Sequence, residues 1–203
     1  MSAEAVYDCM KICACLDKPL VGVSKLEIQR YSFLACILSL FRARPVAEWG
    51  YKFARTRFGT PYSRELDQSI EILSNTGRFH VNEGRFHLTD AGREMFNLLA
   101  RMENSKIRDP FLDAACLSAL AVPPGIVMRG LDNEPTSQVA AIRPNGGALL
   151  EGPALQLLHE HFQGLSNVFP IADSDLVTPS VAWLSYVADE QFSKRTSAIE
   201  VVA

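Results

Sequence analysis

Between Arg78 and Leu88 the hydrophobic pattern of the chain changes period, and that change limits the possible folds more than any other feature. In Arg78-Phe79-His80-Val81 and in Arg85-Phe86-His87-Leu88 apolar and polar residues alternate, with Asn82-Glu83-Gly84 between the two runs. Alternation at period two around a three-residue loop with glycine in the bulge position predicts a β-hairpin. The segments on either side follow a helical period instead. Ser24 is placed to cap a helix reaching about Ala43, apolar on nearly all sides through Leu26, Phe33, Leu34, Ile37, Leu38, Leu40 and Phe41, and so buried over most of its girth. Pro45 suits the first position of a second helix, with Val46, Trp49 and Phe53 at helical spacing. Gly59-Thr60-Pro61 breaks it, and Ser63 caps a third helix with Leu66, Ile70 and Leu73 as its buried stripe. Gly77 suits the left-handed position behind that helix, and Thr89 caps a fourth running to about Glu103.

Three helices, a two-stranded wing and a further helix are the order of a winged helix-turn-helix. The run Leu88-Thr89-Asp90-Ala91-Gly92-Arg93-Glu94 resembles the L-T-x-x-G-R/K-E stretch that follows the wing in many such proteins. The resemblance covers roughly residues 24–103. It implies a mainly α fold: a winged helix-turn-helix with a small β-hairpin wing, followed by a helical C-terminal lobe. Four parts are expected: a helical segment at 1–23, the winged-helix domain at 24–105, an acidic helical lobe at 106–195 and a tail at 196–203. Within the lobe, Phe111 to Val122 reads as a helix and Ile126 to Leu131 as a short one. Asp132 to Gly147 reads as mostly loop, and further helices open at Pro153 and Thr178.

Charge divides along the same lines. Residues 42–108 hold twelve basic and eight acidic side chains, ten of the twelve being Arg, while residues 109–203 hold four basic and eleven acidic. A formal net charge of −3 excludes a generally polybasic nucleic-acid binder but leaves room for a local basic face. The candidate contacts for nucleic acid are Arg55, Arg57, Arg64, Arg78 and Arg85. If Phe79, Val81, Phe86 and Leu88 face the core, then Arg78, His80, Arg85 and His87 share the outer face of the wing, where they would meet phosphates, which carry little sequence information. The third helix presents Arg64, Asp67, Gln68 and Glu71 outward, and two carboxylates make a poor reader of bases. The wing loop carries an acid, Glu83. These features favour a winged helix used for protein docking with weak DNA contact. The alternative is a sequence-specific transcriptional regulator. Docking is assigned to the last helix, where Val181, Leu184, Ala188 and Phe192 form one stripe, Trp183 and Val187 widen it, and Trp183, Tyr186, Val187 and Phe192 are the candidate contacts; the alternative is that Trp183 completes the lobe's own core.

No constellation for catalysis emerges. The chain lacks a phosphate-binding G-x-x-x-x-G-K-[ST] loop, a G-x-S-x-G elbow, an H-E-x-x-H pair and a C-x-x-C doublet. His159-Glu160-His161 places its histidines on different sides of a helix. Cys9, Cys13 and Cys15 fall in one helix, Cys13 and Cys15 pointing apart, so the five cysteines read as free thiols rather than metal ligands. No cofactor, metal or small-molecule substrate is inferred, and the expectation is no enzyme. An odd cysteine count without a signal sequence points to a reducing cytoplasm, and the apolar run Phe33 to Phe41 is too short to span a membrane.

A second resemblance lies in Arg57-Phe58-Gly59-Thr60-Pro61-Tyr62-Ser63-Arg64-Glu65-Leu66, which is similar to the Y-G-P-Y-S-x-E-L stretch of small bacterial accessory subunits, with Gly-Pro spread here to Gly59-Thr60-Pro61. It resembles the middle components of Lamassu-type ABC three-component anti-phage systems. That resemblance implies an accessory subunit in antiviral defence whose protein partners are an SMC-like ATPase and an effector nuclease.

Overall fold

The computed structural model describes residues 2–143, 147–168 and 175–200, with side chains through Asp189. The architecture is mainly helical, with two small antiparallel sheets. At its centre lies α1 (Ala3–Leu20), whose N-terminus is capped by Ser2 accepting from the Ala5 amide at 3.2 Å. Ala5, Val6, Tyr7, Cys9, Met10, Ile12, Cys13 and Leu16 are all buried, because α1 packs against helices on several sides. Its buried residues share one core cluster with those of the helices that follow. Val21 and Gly22, with φ of 53° and 88°, turn the chain into β1 (Val23–Ser24).

Ser24 then caps α2 (Lys25–Ser39) as expected, in a reciprocal box: its hydroxyl accepts from the Glu27 amide at 3.3 Å, and its own amide donates to Glu27 Oε2 at 2.7 Å. Every residue from Ile28 to Ser39 is buried. The helix expected at Pro45 does not form. A 3-10 turn at Val46–Trp49 ends at Gly50, and the chain continues extended into β2 (Ala54–Arg55) and back along β3 (Pro61–Tyr62). The reason is visible in the residues: Trp49, Tyr51 and Phe53 are buried and Gly50 and Lys52 are exposed, a period of two that the Trp49/Phe53 spacing alone conceals.

Ser63 precedes α3 (Arg64–Asn75) but is held by Gln29, whose amide oxygen accepts from the Ser63 amide at 2.7 Å and whose nitrogen donates to the Ser63 carbonyl at 3.0 Å. The hairpin follows as β4 (Phe79–Asn82) and β5 (Arg85–Leu88), in register Phe79↔Leu88 and His80↔His87. It is joined by β1, giving the order β1-β5-β4. Phe79 and Leu88 are buried and Phe86 partly so, but Val81 is exposed, contrary to its expected place in the core. Thr89 caps α4 (Asp90–Leu99) through the Gly92 amide at 3.0 Å, and α4 ends before Glu103, where α5 (Glu103–Ala121) begins.

The change of charge between residues 108 and 109 falls inside α5. Lys11 of α1 bridges Asp109 and Asp113 of α5 at 3.4 and 2.8 Å, and Phe111, Leu112 and Ala115 join the same core as α1 and α2. Next come α6 (Pro124–Asn133) and α7 (Pro135–Ala141). Where a loop was expected, Pro135 opens α7 and the Glu134 carboxylate caps it, accepting from the Thr136 amide at 2.9 Å and from the Ser137 amide. β6 (Gly147–Ala148) pairs with β2 to give the second sheet, β3-β2-β6. Helices α8 (Pro153–Val168) and α9 (Val177–Glu200) complete the chain; α9 packs on α5 and α6 and runs past Thr196 into the segment expected to be a tail.

Candidate interaction surface

Two carboxylates of α1 organise the surface features. Asp8, fully buried, receives a two-point ion pair from Arg108 of α5: Nε donates to Oδ1 at 2.7 Å and Nη2 donates to Oδ2. Arg108 Nη1 also donates to the Trp49 carbonyl at 2.7 Å, its guanidinium lies 3.7 Å from the Trp49 ring centroid, and the Tyr51 hydroxyl donates to Asp8. Burial pushes the Asp8 carboxyl above its usual range against the pull of Arg108. Burial also opposes the charge on Arg108, but Asp8 beside it outweighs this and holds the guanidinium more firmly protonated. A cleft of about 200 Å³ opens beside the pair, lined by Glu4, Arg44, Glu48, Asn104 and Arg108 among others. The charge of Arg108 is already committed to Asp8, so what the pair does is lock the chain that leads into β2.

Asp17, near the end of α1, serves the other hairpin. His87 Nδ1 lies 2.6 Å from its Oδ1 and Arg93 Nη2 lies 3.8 Å from its Oδ2. Arg85 Nη1 donates to the carbonyls of Gly22 at 2.8 Å and Leu20 at 3.3 Å, and lies 3.5 Å from Glu27. Arg78 donates to the Thr76 carbonyl at 2.6 Å. Two members of the expected phosphate-contacting face, Arg85 and His87, thus hold the hairpin on the end of α1 and the turn into β1. Only His80 of its four members remains exposed, its ring 6.4 Å from that of His87.

The remaining candidates cluster elsewhere. Arg55 lies in β2, Arg57 in the β2–β3 turn, and Arg64 opens α3. Arg78 follows the far end of this 12-residue helix, about 18 Å away at 1.5 Å per residue, so the five arginines do not form one patch. The turn is firmly closed: the Thr56 amide donates to the Thr60 carbonyl at 2.9 Å, the Gly59 amide to the Thr56 carbonyl at 3.0 Å, and the two threonine hydroxyls meet at 2.9 Å. At its apex Phe58 is 78% exposed, with the Arg57 guanidinium 4.7 Å from its ring centroid. Along α3, Asp67 is held by Lys25 and by the Tyr62 hydroxyl, while Gln68 and Glu71 are exposed. Phe58 has no place in the expected contact set; its position directly after Arg55-Thr56-Arg57 is the available signal. A second omission is Arg30 of α2, only 8% exposed, whose Nε meets no acceptor among the described residues. Its charge acts with that of Arg55 on Asp132 of α6, drawing down a carboxyl that burial raises further.

The docking residues assigned to α9 need correction. Trp183 is fully buried and stacks on Phe162 with centroids 5.3 Å apart, and Val187 is buried beside it, so both belong to the molecule's own core. Tyr186 is 52% exposed, and its ring meets that of His161 edge-on at 5.7 Å. The Phe192 side chain lies outside the described residues.

The thiols of Cys9, Cys13, Cys36 and Cys116 are buried and Cys15 is half-buried. Burial pushes those of Cys9, Cys13 and Cys36 upward, away from the reactive thiolate. Among the described residues no group of three His, Cys, Asp or Glu is placed to hold a metal, and no helix is long and apolar enough to cross a membrane. Comparisons with family models, with curated proteins and with solved structures find no match to the chain.

Proposed function

We propose that the chain is a non-catalytic winged-helix subunit of a bacterial defence assembly, which docks an SMC-like ATPase and its effector nuclease and touches DNA weakly and without sequence preference. The observation that carries the winged-helix part is the strand order β1-β5-β4, in which a strand between the first two helices pairs with the second strand of the hairpin after the third. In this frame α1 rather than α2 is the first helix, and α3 is the helix that would face a groove. Residues 40–63 replace the tight turn of an ordinary helix-turn-helix with the β2–β3 hairpin.

Docking is favoured over base reading because Arg85 and His87 of the wing are engaged within the molecule and α3 adds Glu71 to its exposed side. The partner class follows from the likeness of residues 57–66 to accessory subunits. The second reading, a sequence-specific regulator, rests on exposed Arg64 and Gln68, α3 side chains able to contact bases. Co-expression with the products of neighbouring genes separates the two. The accessory subunit co-elutes with an SMC-like ATPase in a fixed ratio that survives high salt. A chain that elutes alone, and protects its own promoter at physiological salt, overturns the proposal in favour of the regulator.

A further inference from the structure

We infer that the β2–β3 hairpin is a contact for unpaired nucleic acid, with Phe58 as the platform for one base and Arg57 and Arg64 as the groups for the adjoining phosphates. The inference deepens the nucleic-acid half of the proposed function and rests on it.

Phe58 exposes more of itself than any other described aromatic side chain, and it does so from a turn closed by the Thr56–Thr60 bonds rather than from a loose loop. A platform already held in place loses little freedom when a base stacks on it. Gly59, with φ of 89°, lets the turn close over Arg55: a β-carbon there would stand 2.9 Å from Arg55 Nη2, so the guanidinium packs directly beneath the apex. Arg57 lies against the Phe58 ring, and the ring's high exposure leaves area for a second planar group.

Charge selects the occupant. From Trp49 to Arg64 the chain carries Lys52, Arg55, Arg57 and Arg64 and no carboxylate; Lys52 meets Glu151 at 3.5 Å and Arg55 acts on Asp132, which leaves Arg57 and Arg64 as the cations that flank the apex. The acids that follow are engaged: Glu65 accepts from the Ser63 hydroxyl at 2.9 Å, and Asp67 is held by Lys25 and Tyr62. An aromatic ring among arginines fits a polyanion that also offers flat apolar faces. Base faces are open in a single strand or at a frayed end and are hidden inside a duplex, so the unpaired strand is the form that this apex fits.

The test is fluorescence anisotropy of the full chain with a labelled oligothymidine and, separately, a blunt-ended duplex, at low and at physiological salt. Phe58→Ala is expected to weaken oligothymidine binding roughly ten-fold, with the duplex unaffected, and Phe58→Trp to restore it. Arg57→Gln is expected to lower the slope of affinity against salt by about one ion. Circular dichroism of the variants should match the parent, because Phe58 is mostly exposed and has no place in the hydrophobic core. If Phe58→Ala binds oligothymidine like the parent while duplex binding persists, the hairpin inference fails and the proposed function stands. Equal losses on both probes overturn the preference for an unpaired strand. No binding to either probe overturns the inference together with the nucleic-acid half of the proposed function. Release of the co-purified ATPase by Phe58→Ala, with oligothymidine binding intact, makes the apex a protein contact and also overturns the inference.

Discussion

The β4–β5 hairpin reaches α1 through its own polar side chains, Arg85 on the carbonyls of Leu20 and Gly22 and His87 on Asp17. The β2–β3 hairpin is fastened at its root instead, where Arg108 and Asp8 grip Trp49 and Tyr51, and its apex arginine and phenylalanine remain at the surface. The two are similar in composition, each with two arginines and at least one phenylalanine between residues 54–62 or 78–88. What separates them is the supply of acceptors nearby. A cation beside a helix end with spare carbonyls becomes structural, and one beside a turn that satisfies its own backbone stays available to a partner.

The largest effect should come from the root of β2–β3. Asp8→Ala leaves Arg108 buried without its counter-ion, and the expected loss is about 3–5 kcal/mol in urea unfolding. Replacing both partners with apolar residues of similar volume should recover much of that. A smaller loss from the double variant than from either single one is the signature to look for.

Gly92→Ala comes next. Its β-carbon would stand 2.3 Å from the Arg78 carbonyl oxygen, a backbone atom that joins the wing to α4, so we expect a loss of about 2–3 kcal/mol. The matching change in the other hairpin, Gly59→Ala, meets only the mobile head of Arg55 and the strain of a positive φ. It should cost about 1 kcal/mol. Comparing the two midpoints shows whether the hairpins differ in rigidity as their anchoring implies.

The features legible in the sequence were those whose cause is local. Alternation locates β4 and β5, Ser24 as a cap locates α2, and Thr89 locates α4. Illegible were the pairings between distant residues: Asp8 with Arg108 lies 100 positions apart, and Arg85 with Leu20 65. For that reason residues 1–23 read only as a helical segment, and Arg85 and His87 read as solvent-facing. Pro110 and Pro135 misled for the opposite reason. Each suggests a break, yet α5 continues through Pro110 because Phe111 and Leu112 remain in the core, and Pro135 opens α7 because Glu134 supplies the cap. Trp183 was legible as an interface or core residue but not as which, since only its stacking on Phe162 decides.

The division of labour between the hairpins is tested most directly by one paired measurement on Arg85→Gln and Arg57→Gln: unfolding free energy and oligothymidine affinity, both on the full chain. Arg85→Gln should lower stability by about 1 kcal/mol, a modest figure because the side chain is partly exposed, and leave affinity unchanged. Arg57→Gln should leave stability within about 0.5 kcal/mol of the parent and weaken binding several-fold. If Arg85→Gln weakens binding as much as Arg57→Gln while its stability is untouched, the wing is the contact surface and the account is contradicted.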